Sequence, residues 1–114
     1  MARFQQREEG RAMPKLAIIV TMEVATGRRE QFLPFLMAHR ARCLKDEPGI
    51  TLLLEVLAPY DDDTKVLTYE VYRDDAALET HRNGRSLAQF REETVGMIVR
   101  SQVTKCALLA GQLV

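Results

Sequence analysis

The sequence has no tryptophan, only two cysteines, and no excess of either charge. Each scarcity excludes something. Lys plus Arg number 16 and Asp plus Glu number 16, so no global field draws the chain to nucleic acid or to an anionic membrane surface. The longest uninterrupted apolar run, Leu16 to Val20, is five residues, far short of the roughly 18 that a membrane-spanning helix requires. Two cysteines, Cys43 and Cys106, cannot make a disulfide framework, and no CxxC or zinc-ligand spacing is present. Both read as small buried groups in a reducing compartment, and the chain is expected to be cytoplasmic and to hold no metal. The sequence also lacks a phosphate-binding glycine loop, a G-x-G-x-x-G turn and a G-x-S-x-G elbow, so nucleotide binding and triad hydrolysis have no support. The Asp61-Asp62-Asp63 run lacks the further ligands of a calcium loop and reads as a polar turn.

What remains is an ordinary globular composition, 46% hydrophobic and 28% charged over 114 residues, enough for one core. Residues 1–14 mix charges and glutamines without an apolar stretch and read as a loosely packed extension. Residues 15–114 then form a single domain. Lys15–Val24 (KLAIIVTMEV) is a strand by composition. From Arg28 to Asp46 the apolar period lengthens: Phe32, Phe35, Leu36, His39 and Cys43 share one helical face, and Pro48-Gly49 ends it. Ile50–Ala58 and Lys65–Arg73 are two strands joined by a short polar link, an antiparallel hairpin. Asp74 caps a short helix over Asp75–His81, and Asn83-Gly84 breaks it. Ser86 and Gln89 have capping-box spacing before a helix whose stripe runs through Leu87, Phe90, Thr94, Met97 and Ile98. Ser101–Leu109 is the last strand. The order β-α-β-β-α-α-β specifies a ferredoxin-like α+β domain with an antiparallel sheet.

Strand alternation assigns Leu16, Ile18, Val20, Met22 and Val24, then Leu52, Leu54 and Val56, then Leu67, Tyr69 and Val71, to the face beneath the helices. The opposite face takes Ala17, Ile19, Thr21 and Glu23; Thr51, Leu53, Glu55 and Leu57; and Val66, Thr68, Glu70 and Tyr72. That second set is too apolar to face water alone, which predicts a second sheet against it, most simply that of an identical subunit. Glu23, Glu55 and Glu70 would then line a polar cavity between the sheets; alternatively they merely solubilise the face.

The third strand and the two helices after it carry a recognisable series: Thr68-Tyr69-Glu70-Val71-Tyr72, then Ala77-Leu78-Glu79-Thr80-His81, then Phe90 nine residues after the histidine. With Glu47-Pro48-Gly49 before the second strand, this resembles the antibiotic biosynthesis monooxygenase family and its small quinol monooxygenases, over roughly Lys15 to Leu109. The resemblance implies a dimeric α+β barrel that oxygenates phenols, hydroquinones or polycyclic aromatics, often without flavin or metal. It implies no cofactor here, His81 and Glu70 as catalytic residues, and Tyr72, Glu23, Glu55 and Phe90 as substrate contacts. Residue by residue, the alternative for His81 is a histidine shaping its loop, and for Glu70 an ion pair with Lys105 or an arginine. His39 reads as a packing residue, and Arg82, Arg85 and Arg91 as a solvated face. The chain departs from the family where many relatives have a second histidine five residues after the first, since Ser86 stands there. The haem-degrading branch uses a strand Trp and a His on the later helix. Here Tyr72 holds the strand position and no His follows His81, which disfavours haem chemistry. The same barrel also houses isomerases and non-catalytic binding proteins, so proton transfer on a small carbonyl metabolite and non-catalytic ligand binding stand as alternatives.

Overall fold

A computed structural model describes residues 14–111; the extension assigned to 1–14 lies, except for Pro14, outside the described residues. The observed elements are β1 (Leu16–Val24), α1 (Arg29–Asp46), β2 (Thr51–Leu57), β3 (Lys65–Tyr72), α2 (Asp75–Arg82), α3 (Arg85–Glu93) and β4 (Ile98–Ala107). The four strands form one antiparallel sheet in the order β2-β3-β1-β4, with the helices packed on one face. Every element expected from the sequence is present in the expected order. None of the helices in the described residues is long and apolar enough to cross a membrane.

The core follows from helical periodicity. Phe32, Leu36, His39 and Cys43 are the buried positions of α1. Phe32 and Leu36 meet Met22, Val24, Val66, Phe90 and Met97 in one cluster, while Leu16, Ile18, Tyr72, Ala77 and Leu78 form a second. Each fully buried large apolar side chain contributes about 1.5–3 kcal/mol. Phe32 and Phe90 meet edge to face, with ring centroids 5.7 Å apart. In the β2–β3 turn, Asp62 Oδ1 accepts hydrogen bonds from the Thr64 amide and hydroxyl. These bonds, with help from Lys65, hold its carboxyl down to about 2. Asp74 caps α2 as expected, its Oδ1 accepting from the Ala77 amide at 2.9 Å.

Three local expectations are corrected. Ser86 is not the cap of α3: Gly84 occupies that position without a side-chain bond, and the Ser86 hydroxyl is engaged elsewhere. Helix α3 stops at Glu93 instead of running to Ile98. Thr94 Oγ1 donates back to the Phe90 carbonyl at 2.8 Å, and Gly96 takes the left-handed conformation at φ +81°, which a glycine adopts without steric cost. Strand β4 accordingly starts at Ile98, three residues before Ser101.

The third correction inverts a strand. In β3 the residues under the helices are Val66, Thr68, Glu70 and Tyr72, because β1 pairs Leu16 with Tyr72, Ile18 with Glu70, Val20 with Thr68 and Met22 with Val66. Leu67, Tyr69 and Val71 lie on the outer face with Ala17, Ile19 and Thr21. Thr51 moves inward too: the register of β2 shifts between Thr51 and Leu53 and sets Thr51 against Tyr72. A buried carboxylate is tolerated only if hydrogen-bonded. Glu70 meets that condition within its own strand, since Thr68 Oγ1 donates to Oε2 and Tyr72 Oη donates to Oε1, each at 2.6 Å. Glu70 therefore belongs to the helix side, and no three-glutamate chamber forms on the outer face. That face is left more apolar than expected, with Ile19 and Leu57 exposed and Leu53, Leu67 and Tyr69 half-buried.

Candidate active site

A pocket of about 200 Å³ lies between the sheet and the helices. Its floor is Ile18, Val20 and Met22 of β1 with Thr68 and Glu70 of β3, and its wall is Ser101 and Val103 of β4. Helix α1 supplies Leu36 and His39, α2 supplies Leu78, His81 and Arg82, and α3 supplies Leu87, Phe90 and Arg91. Most of the lining is hydrocarbon. A few polar groups, His39, Thr68, Glu70 and His81, converge on it, the composition expected of a small-molecule site. Arg82 and Arg91 are exposed, as expected of a solvated face, and also border this pocket.

His81 is 4% exposed and is fixed from behind. Its Nδ1 is 3.0 Å from Glu47 Oε1, which also accepts from the Thr51 hydroxyl at 2.8 Å. A neutral histidine with Nδ1–H donating to a carboxylate keeps Nε2 as a lone-pair acceptor. The neighbouring chain is shaped to let Glu47 in: a side chain at Gly84 would place its Cβ 3.2 Å from Glu47 Oε2 and 3.2 Å from the His81 carbonyl oxygen. The Asn83-Gly84 break is thus also a close approach. Glu47 is the residue that orients His81, and sequence alone does not single it out. The available signal is the Glu47-Pro48-Gly49 turn itself, which ends α1 and carries part of the family resemblance but names no partner for His81.

The other predicted residues divide between the two faces. Glu70 and Phe90 line the pocket with His81. Tyr72 does not: it is fully buried, its hydroxyl is tied to Glu70, and its ring lies 5.2 Å from that of His81. Burial, then the Glu70 charge, pushes its phenol far above the ordinary tyrosine value. Glu23 and Glu55 sit on the outer face, away from the pocket. Glu55 pairs with Arg40 at 3.2 Å and Glu23 approaches Arg100 at 3.6 Å.

His39, a packing residue by its place on the apolar stripe of α1, is also part of this site. Its ring stacks on Phe90 with centroids 5.1 Å apart and lies 5.5 Å from the His81 ring. Its Nδ1 is 2.8 Å from Ser86 Oγ, and that oxygen accepts from Arg42 Nε at 2.9 Å. Burial, with the His81 and Arg42 charges, lowers its pKa to about 4, so it is neutral at pH 7. Cys43, one turn along α1 and fully buried, lies 3.6 Å from both His39 nitrogens and 3.8 Å from His81 Nδ1. Burial, then the Glu47 charge, pushes its thiol up to about 12. His39 is thus a neutral base and His81 a carboxylate-paired one, beside a protonated thiol.

A family model described as antibiotic biosynthesis monooxygenase matches residues 16–93. Several solved structures share the fold. A protein from Pseudomonas aeruginosa is 27% identical with a TM-score of 0.77, over 85% of this chain and 96% of that one. A candidate antibiotic biosynthesis monooxygenase from Nitrosomonas europaea is 19% identical with a TM-score of 0.79, over 85% and 92% of the two chains. One from Caulobacter crescentus is 13% identical with a TM-score of 0.80, over 92% and 99%. No curated protein matches the sequence significantly.

Proposed function

The chain belongs to the antibiotic biosynthesis monooxygenase family, and from that premise we propose that it is a homodimeric, cofactor-independent monooxygenase of single-ring phenols or hydroquinones. The observation that carries this reading is the pocket of about 200 Å³ in which His81 and Glu70 face a lining that is mostly hydrocarbon. A cavity of roughly 150 Å³ admits a benzene ring, so this one suits a single substituted ring better than a polycyclic substrate. Phe90 supplies an aromatic wall. His81, oriented by Glu47, accepts the substrate's hydroxyl proton as general base. Glu70 offers carboxylate oxygens to a second hydroxyl.

The resulting anion is electron-rich and passes electrons to dioxygen in a cavity lined mostly by hydrocarbon. The balance closes without a reductant. Hydroquinone plus O₂ gives hydroxyquinone plus water: one oxygen atom enters the ring, the other leaves as water, and the quinol supplies all four electrons. The test is oxygen uptake with a panel of hydroquinones, with product mass under ¹⁸O₂. One labelled oxygen per product is expected. Oxidation with no label incorporated, or binding without oxygen consumption, would overturn the oxygenase assignment.

The dimer is part of the proposal. Ile19, Leu53, Leu57, Leu67 and Tyr69 form an outer sheet surface in need of cover, and a second copy offers the same surface about a two-fold axis. Sedimentation at micromolar concentration should give twice the 13.0 kDa chain mass. A stable monomer there would refute the pairing, as would an Ile19→Lys, Leu57→Lys chain that still sediments as the wild-type dimer. We place the protein in the cytoplasm, a setting consistent with two free thiols; Cys43 is buried as expected, whereas Cys106, on the edge strand β4, is exposed and not the buried group expected from the sequence.

A further inference from the structure

Three potential metal ligands meet behind the pocket. His39, Cys43 and His81 are all buried, and one ligand atom from each lies within 4.8 Å of the others. His39 and Cys43 are one helical turn apart on the inward face of α1, and His81 is presented by the end of α2. We propose that His39, Cys43 and His81 form a binding site for a borderline-soft divalent cation, with Zn²⁺ as its type. The proposal does not rest on the oxygenase reading.

The distances carry the argument. A tetrahedral zinc ion, with Zn–S of about 2.3 Å and Zn–N of about 2.0 Å, holds its sulfur and nitrogen ligands about 3.6 Å apart. Cys43 Sγ stands 3.6 Å from both His39 nitrogens and 3.8 Å from His81 Nδ1, so the His39 ring must turn to aim Nε2 at an ion shared with the sulfur. His39 Nδ1 is already engaged by Ser86, which leaves Nε2 as the nitrogen free for a ligand. Loading moves the His81 proton from Nδ1 to Nε2 and frees Nδ1 from Glu47, whose Oε1, 3.0 Å away, is then placed to supply a fourth ligand. The frame is braced from outside: Arg42 holds Ser86 behind His39, and Thr51 holds Glu47 behind His81. Such partners fix ring orientation in metal centres. Both histidines line the pocket, which gives an ion a way in. Binding exchanges the thiol proton for the ion, so Cys43–SH plus M²⁺ gives the metal thiolate plus one H⁺ released to buffer.

The probe is Co²⁺, then competition by Zn²⁺, on the full chain carrying Cys106→Ser to remove the exposed thiol. A sulfur-to-cobalt charge-transfer band with tetrahedral visible bands is expected at one ion per chain, bleached by one equivalent of Zn²⁺. Cys43→Ser should abolish the charge-transfer band, and His39→Gln should weaken Co²⁺ binding at least tenfold. Cobalt spectra that stay those of the aqueous ion would overturn the proposal, as would a charge-transfer band surviving in Cys43→Ser. Because the ion and the proposed base share His81, binding is read by spectroscopy and not by turnover. An inactive enzyme that binds cobalt, or an active one that does not, separates the two ideas.

Discussion

Replacing His81 with glycine is expected to lower kcat/KM for a hydroquinone by a factor of about 10²–10⁴, the usual contribution of a positioned general base. That corresponds to about 3–5 kcal/mol of transition-state stabilisation. The loss should fall on kcat, because the pocket wall that recognises the ring is hydrocarbon and is left in place. His81 is buried and bonded to Glu47, so its removal also disturbs packing, and a rate loss alone would not distinguish the two roles. Added imidazole does. A small imidazole entering the vacated space restores the missing base and should recover part of kcat in His81→Gly. A purely structural histidine predicts no such recovery, nor any dependence on the basicity of the added amine. Glu47→Gln keeps an acceptor for the Nδ1 proton but removes the carboxylate charge. It should retain KM and lose kcat by about tenfold, as expected for a residue that acts through another. A folded His81→Gly protein turning over at the wild-type rate would remove His81 from the mechanism.

The sequence revealed more about the fold than about the site, and the division has a physical cause. Periodicity reports which side of an element is apolar, so α1, with Phe32, Leu36, His39 and Cys43 in register, was legible almost to the residue. Strand β3 was not. Lys65–Tyr72 alternates an apolar set, Leu67, Tyr69 and Val71, with a mixed set, Val66, Thr68, Glu70 and Tyr72. Hydropathy alone sends the apolar set inward. The actual order is reversed because Thr68, Glu70 and Tyr72 satisfy one another through two hydrogen bonds of 2.6 Å, and their outer neighbours need a different cover. A single-residue shift of register moves every side chain to the other face, and no window along one strand can fix it. Glu47 and His39 were hidden for a related reason. Their roles depend on contacts 34 and 47 positions away in sequence, to His81 and Ser86. The His39/Cys43 spacing of four was visible as one helical face; that His81 completes the group was not. Likewise Ser86, a cap by its distance to Gln89, is in fact the brace of a histidine on another helix.

The same brace underlies the second large effect, a loss of stability in mild acid. His39 has a folded-state pKa of about 4 against an ordinary value of 6.5. Between those values the unfolded chain binds a proton that the folded chain refuses, so stability rises with pH across the interval and falls as pH is lowered through it. Above about 6.5 both states are neutral at this site, and below about 4 both are charged, so the effect is confined to that window. Its size is about 3 kcal/mol, from roughly 1.4 kcal/mol per pKa unit, a large share of the 5–15 kcal/mol typical of a domain. The groups facing the ring set the direction: Phe90 stacks on it, while His81 and Arg42 oppose a further positive charge and Glu47 only partly offsets them. Urea unfolding midpoints at pH 7, 5.5 and 4, in EDTA so that no bound cation contributes, should fall steeply in the wild type with little change in m. In His39→Gln, whose amide still offers Ser86 a donor, the fall should be smaller by about 3 kcal/mol. If the variant loses as much stability as the wild type between pH 6.5 and 4, the proton is being taken up elsewhere. The burial that keeps His39 uncharged is also what leaves its Nε2 lone pair free beside Cys43.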